Sequence, residues 1–187
     1  MNIESIKRRL LVKYPCFGSI VANSNFIDET KIKTAYTDGK NIYYNPDFIE
    51  SLTNDQQVFA FAHQICHIAF DHIFRSEGKE KKLWNIAADS VVNAFLKQDG
   101  LPLIEGAIDL PEAINFDVEE LYQKLLNEKQ KHYRECNDVI KNESNQEQNQ
   151  SNDKLWKYLH EAEQHDIHSI WDEVVKIKNQ VEPQYSN

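Results

Sequence analysis

The spacing of apolar residues along the chain predicts four amphipathic helices. Apolar side chains recur at helical spacing over residues 2–13, 53–73, 81–97 and from 117 onward. Asn2 is a suitable N-cap for the first helix, and Thr53 is one for the second. Asp117 is followed three residues later by Glu120, which is the pattern of a capping box.

Between the first two helices the pattern changes to that of short strands. Residues 31–36 and 41–44 are rich in β-forming side chains and flank Asp38-Gly39. Both turn residues tolerate positive φ, so this segment predicts a β-hairpin. Residues 19–22 are also β-branched and predict a further strand. Helices combined with a small sheet indicate the α+β fold class.

A polar stretch divides the chain near its C-terminal end. Residues 142–153 contain no apolar side chain, so burial cannot order them, and we interpret them as a flexible linker. Helical spacing returns over residues 154–187 with two tryptophans, which predicts a segment that docks back on the domain. The predicted division is a domain at 1–127, a helical extension at 128–141, the linker and this C-terminal segment.

Composition and charge narrow the classes of function. The length of 187 residues fits one domain, and the net charge of -9 disfavours a nucleic-acid partner. No stretch approaches the ~20 apolar residues of a membrane helix, and the charged N-terminus does not suit a signal peptide. We therefore expect a cytoplasmic protein. Three distant cysteines give neither a disulfide framework nor a zinc knuckle.

The second predicted helix carries two histidines that could share a metal ion. His63 and His67 are four residues apart, so their side chains lie one above the other on a helix. Two imidazoles in this arrangement can converge on zinc at about 2.0–2.1 Å. The segment His63-Gln64-Ile65-Cys66-His67 resembles the HExxH motif of zinc metallopeptidases, with Gln64 where that motif has Glu.

A catalytic zinc site needs a third protein ligand, and the next predicted helix offers one. Asp89 is an acid within an apolar run, where an unpaired carboxylate would be costly. His72 is a rival, but it lies about 140° further round a continuous helix from His67 and converges only if the helix breaks. Asn85 is a second rival, although an amide is a poor zinc ligand. With Asn93, these two residues are also candidates for contacts to the ligands or to substrate.

Several motifs together resemble the metallopeptidase domain found N-terminal to bacterial VWA-like domains, which is similar to the gluzincin-like zincins. The matching segments run in the order TAYTDGKNIYYNP, FAHQICHIAFDH, WNIAADSVVN, LP and EELY, and cover about residues 31–126. The resemblance implies a zincin fold with the HExxH helix beside an edge strand. It also implies Zn²⁺ held by His63 and His67, and it supports Asp89 as the third ligand.

Gln64 departs from the family pattern at the residue that acts as general base. Glutamine cannot accept the proton of a zinc-activated water, so we expect a zinc metallopeptidase site with little or no activity. Two origins stay open, an engineered Glu→Gln substitution, which the otherwise intact motif favours, and a natural pseudoenzyme. The alternative function is a catalytically dead zinc domain that binds a partner protein and regulates it.

The expected partner of either form is a protein or peptide. An extended peptide could add to an edge strand of the sheet, and the sequence offers residues 31–36 or 41–44 for this role. No VWA domain follows within the given chain, so it is either a fragment or a stand-alone form. The substrate and the oligomeric state cannot be predicted from these patterns.

Overall fold

The computed structural model describes residues 2–139 and places most of them in helices around a small sheet. The α-helices of this part are α1 (Ile3–Lys13), α2 (Gly18–Asn23), α3 (Pro46–Ser51), α4 (Asn54–Ala69), α5 (His72–Arg75), α6 (Lys81–Gln98) and α7 (Val118–Val139). The strands are β1 (Phe26–Asp28), β2 (Ala35–Thr37) and β3 (Ile42–Tyr44), and short 3-10 turns lie at Pro15–Phe17 and Pro111–Asn115. The predicted α+β class is confirmed.

Helices α1, α4 and α7 begin where polar side chains accept hydrogen bonds from free backbone N–H groups, whereas α6 begins after Glu80 without a side-chain cap. The Asn2 side chain accepts one from the first turn of α1. At α4, Thr53 and Gln56 form a reciprocal capping box. The Glu120 N–H donates to the Asp117 carboxylate at 2.7 Å, so α7 begins with the predicted cap. These local signals fixed the helix starts that the sequence pattern had predicted.

The sheet has the order β1-β3-β2. β3 pairs with β1 in parallel and with β2 in antiparallel register. The predicted hairpin is therefore confirmed, and Gly39 occupies its turn with φ 92°. Because β3 is the central strand, residues 41–44 have no free edge, and the expectation that they could take a peptide was wrong. β2 begins only at Ala35, later than the predicted start at residue 31.

The strand predicted at residues 19–22 was wrong, because this segment lies in α2. The 3-10 turn at Pro15–Phe17 leads directly into that helix. Val21 packs in the main apolar cluster, and the Ser24 N–H donates to the Ile20 carbonyl at 2.9 Å. Burial of one face of a short helix thus outweighs the weak β preference of its branched side chains. The real strand, β1, follows a few residues later.

Two apolar clusters meet at α6. The first joins α1, α2, the sheet and α4 with Val92 and Leu96 of α6. The second joins the other side of α6 to the turn at Pro111–Asn115 and to α7, around the buried Trp84. Helix α6 therefore lies between the two clusters and packs against α4, and polar side chains on the facing sides of these helices are shielded from solvent.

Helix α4 ends at an earlier residue than the apolar pattern predicted. The pattern continues to Ile73, whereas the helix stops at Ala69. Asp71 then adopts a left-handed conformation with φ 53°, the one non-glycine residue with positive φ in the described part of the chain. This conformation costs about 1 kcal/mol for a residue with a side chain. Helix α5 begins at His72.

The predicted linker at 142–153 and the C-terminal segment at 154–187 lie outside the described residues. Helix α7 runs without interruption past residue 127, and the proposed division of the chain stays a prediction. Within residues 2–139, no helix combines the length and apolar character that crossing a membrane requires.

The capping box of α4 offers a direct test of the fold. We expect Thr53→Ala to lower the free energy of unfolding by about 1 kcal/mol, because it removes the side-chain acceptor for the Gln56 N–H. Thr53→Ser keeps the hydroxyl and serves as the matched control. Urea unfolding followed by circular dichroism would measure both variants. Equal stability of the two would contradict this role of the cap.

Candidate metal centre

Three side chains from α4 and α6 bring lone-pair atoms to one point. His63 and His67 lie one turn apart on α4, and their Nε2 atoms are 2.9 Å apart. Asp89 reaches them from α6, with Oδ1 3.3 Å from His63 Nε2 and 3.1 Å from His67 Nε2. The sequence predicted this grouping, and the packing of α4 against α6 produces it.

The geometry and the donor types fit a divalent transition metal. Ligands at 2.0–2.1 Å in a tetrahedron are about 3.3–3.4 Å apart, close to the separations found here. Two imidazoles and one carboxylate form a donor set that catalytic zinc sites use, with a further position open. The three side chains could therefore hold a metal ion with little movement.

Asn93 fixes the ring orientation of His63. Its Oδ1 lies 2.9 Å from His63 Nδ1, and its Nδ2 donates to the Ile108 carbonyl at 3.0 Å. Because the second bond commits the amide nitrogen as a donor, Oδ1 is left as the acceptor. His63 therefore carries a proton on Nδ1, which leaves Nε2 as the nitrogen that a metal could bind.

His72 contacts the opposite side of the His67 ring. The two Nδ1 atoms are 3.1 Å apart, while His67 Nε2 faces Asp89. The break after α4 makes this contact, because His72 would point away on a continuous helix. His72 is thus adjacent to a candidate ligand without joining the three converging atoms.

Burial and mutual contact set the charge of the group. Burial alone would raise the pKa of Asp89, but hydrogen bonds from His63 and His67 outweigh it and hold that pKa below its usual range. Burial, opposed by the hydrogen bond to Asp89, lowers the pKa of His67. Burial and the neighbouring His67 lower the pKa of His72 to about 3. Near neutral pH, the site therefore presents a carboxylate with His67 and His72 neutral.

Gln64, at the predicted position of the general base, contacts the sheet. Its Nε2 donates to the Ala35 carbonyl at 3.4 Å, which joins α4 to β2. The Thr34 carbonyl accepts from the Asn45 N–H and the Asp38 N–H donates to the Asn41 carbonyl, at the two ends of β3. The alternating peptide groups of Ala35 and Thr37 therefore face the outer edge of the sheet. The Gln64 amide therefore covers one acceptor of that edge.

Two further residues of α4 and α6, Asn85 and Cys66, are not among the three converging groups. Asn85 is buried one turn before Asp89 on α6, and no hydrogen bond among the described contacts joins it to either histidine of α4. Cys66 is fully buried on α4, where burial raises the pKa of its thiol to about 12. A thiol held neutral in this way packs as an apolar group and is a poor metal ligand.

Two contacts around the site were not expected from the sequence. The Ile108 carbonyl orients Asn93, and the Trp84 indole N–H donates to the His72 carbonyl at 2.8 Å. Backbone acceptors carry no residue-specific signal, so only the folded arrangement could show these two.

The comparison with known proteins agrees with this site. A family model described as a putative metallopeptidase domain matches residues 2–182. Neither a curated protein nor a solved structure matches the chain. The match spans nearly the whole sequence, further than the resemblance over residues 31–126.

A pair of variants on α6 separates the candidates for the third ligand. We expect Asp89→Ala to abolish stoichiometric metal binding, because it removes the only carboxylate among the three converging groups. Asn85→Ala, one turn earlier, should keep the metal. Elemental mass spectrometry of the purified variants would measure metal per chain. Full retention of metal by Asp89→Ala would exclude it as a ligand.

Proposed function

Since the chain belongs to the putative metallopeptidase domain family, we propose that it binds one zinc ion through His63, His67 and Asp89 at a site built for peptide-bond hydrolysis. The observation that carries the proposal is the convergence of two imidazole nitrogens and one carboxylate oxygen, each within 3.3 Å of the others. The helical pair of histidines supports a zincin-type site in particular.

The choice of zinc rests on the ligands and on their spacing. Imidazole suits zinc, iron, copper and nickel, whereas magnesium and calcium prefer oxygen ligands. Two histidines and one carboxylate also form the facial set of iron(II) oxygenases. The family assignment and the four-residue spacing of His63 and His67 on one helix favour zinc over iron.

The protein side chains would position the reacting groups. Zinc bound at this site would lower the pKa of a coordinated water to about 7 and polarise a peptide carbonyl. Asn93 holds His63 with its lone pair toward the ion, and Asp89 balances part of the positive charge. The surrounding apolar clusters limit access of bulk water, which strengthens these electrostatic contacts.

Gln64 accounts for the low activity that we propose for this chain. A general base typically contributes about 10²–10⁴-fold to the rate. The Gln64 amide can donate and accept hydrogen bonds but cannot take a proton from water. Its Nε2 is also engaged with the Ala35 carbonyl. The chain should therefore bind zinc and peptide and turn over very slowly.

The outer edge of β2 is the proposed site of peptide recognition. β2 is an edge strand and is the strand that Gln64 contacts, so a peptide paired with it would pass beside the metal centre. Backbone pairing would present the peptide as an extended strand. The Gln64 amide would compete with such a peptide for the Ala35 carbonyl.

A zinc-dependent binding domain without catalysis is the second candidate. The contact between Gln64 and Ala35 favours it, because glutamine fills the site of the base with a hydrogen bond that a carboxylate could not donate. In this form the metal would hold α4 against α6, and the domain would regulate a partner protein. The two candidate functions differ in whether Gln64→Glu would gain protease activity.

Metal content tests the first part of the proposal. We expect about one zinc per chain in the purified protein and a loss of zinc in His67→Ala, which removes one of three ligands. Cys66→Ala, one residue earlier on the same helix, should keep its zinc. Elemental mass spectrometry would measure all three proteins and identify the ion. Iron in place of zinc, or no metal in the parent chain, would refute the zinc assignment.

Restoring the acid tests the catalytic part. We expect Gln64→Glu to raise cleavage of a fluorescent casein substrate by about 10²–10⁴-fold, since it restores a group able to accept a proton. A chelator should abolish the gain, and added zinc should restore it. Gln64→Ala controls for simple loss of the Ala35 contact. A zinc-loaded Gln64→Glu variant without activity would favour the binding domain.

A further inference from the structure

The break between α4 and α5 brings a buried histidine against the back of a proposed zinc ligand. His72 is almost fully buried, at 1% exposure, and its Nδ1 lies 3.1 Å from the Nδ1 of His67. His67 Nε2 points the other way, toward Asp89 and His63. The two ring nitrogens of His67 therefore have separate partners on opposite sides.

His72 is held firmly in this position. Its backbone carbonyl accepts the Trp84 indole N–H, and its ring lies edge-on to the Trp84 ring at 6.2 Å. The Phe70 ring is 5.6 Å away on another side. Trp84 itself is fully buried on α6, the helix that also carries Asp89. The core thus fixes the His72 ring relative to the metal centre.

The contact has a defined direction once His67 binds a metal through Nε2. A neutral imidazole has one protonated nitrogen and one lone pair, so a metal on Nε2 requires the proton on Nδ1. The nearest acceptor for that proton is His72 Nδ1. This places the proton of His72 on its Nε2 and leaves its Nδ1 free to accept.

We propose that His72 is a positioning residue that accepts the His67 Nδ1–H and holds the Nε2 of His67 toward the metal. It plays for His67 the part that Asn93 plays for His63, so each histidine ligand is oriented by one buried acceptor. His72 thereby acts through its contact with His67 and does not bind substrate. The inference rests on the zinc site proposed above.

Two substitutions of matched shape test the proposal. Leucine and asparagine branch at the same carbon, but asparagine keeps an acceptor near the position of His72 Nδ1. We expect His72→Leu to weaken zinc affinity by about 10–100-fold, as is usual on loss of such a partner. His72→Asn should recover most of that loss, although both variants lack the packing of the ring. Competition with a chromophoric chelator would measure each affinity.

The outcomes separate this inference from the proposed function. A parent chain that binds no zinc would overturn both. A parent that binds zinc, with His72→Leu as tight as the parent or with both variants equally weakened, would overturn the positioning role alone. If His72→Leu does not fold, the tautomer of His72 in the zinc-loaded parent decides, measured by long-range ¹H–¹⁵N NMR. A His72 proton on Nε2, with Nδ1 unprotonated, supports the proposal, and a His72 proton on Nδ1 overturns it.

Discussion

The packing of α4 against α6 depends on one constraint, which is that the largely buried Asp89 carboxylate needs hydrogen-bond partners. Asp89 lies on α6 where two apolar clusters meet, and its side chain is 16% exposed. An isolated carboxylate in such a place is strongly disfavoured, and breaking a buried ionic contact typically costs about 3–5 kcal/mol. His63 and His67 supply the compensating hydrogen bonds from α4. The register of α4 against α6 is therefore set by this contact as well as by apolar packing.

The need for hydrogen-bond partners also applies to the residues that contact Asp89. Each histidine that faces the carboxylate must also satisfy its second ring nitrogen in a buried environment. His63 uses Asn93, which in turn uses a backbone carbonyl of the loop before the second 3-10 turn. His67 uses His72, whose backbone is held by Trp84. The polar groups thus form one hydrogen-bond network around Asp89, in which each buried side chain has a partner.

The sequence predicted the parts of this arrangement that depend on local spacing. Capping patterns located the starts of α4 and α7, and the four-residue spacing placed His63 and His67 on one face. Asp89 stood out because a carboxylate in an apolar helix needs a partner. Contacts that join distant segments were less accessible, since β1 forms only by pairing with β3. The left-handed Asp71 and the resulting position of His72 also depend on tertiary packing, which overrides the apolar pattern of α4.

The chemical nature of residue 64 affects both the candidate metal centre and the outer edge of β2. The Gln64 amide donates to the Ala35 carbonyl, so this side chain joins α4 to β2. A carboxylate in the same place would face that carbonyl with two acceptors and would have to turn away or take up a proton. An acid at position 64 would thus end this contact with β2 as it supplied the base. In the function that we propose, the single difference between amide and acid would therefore couple catalytic competence to peptide access.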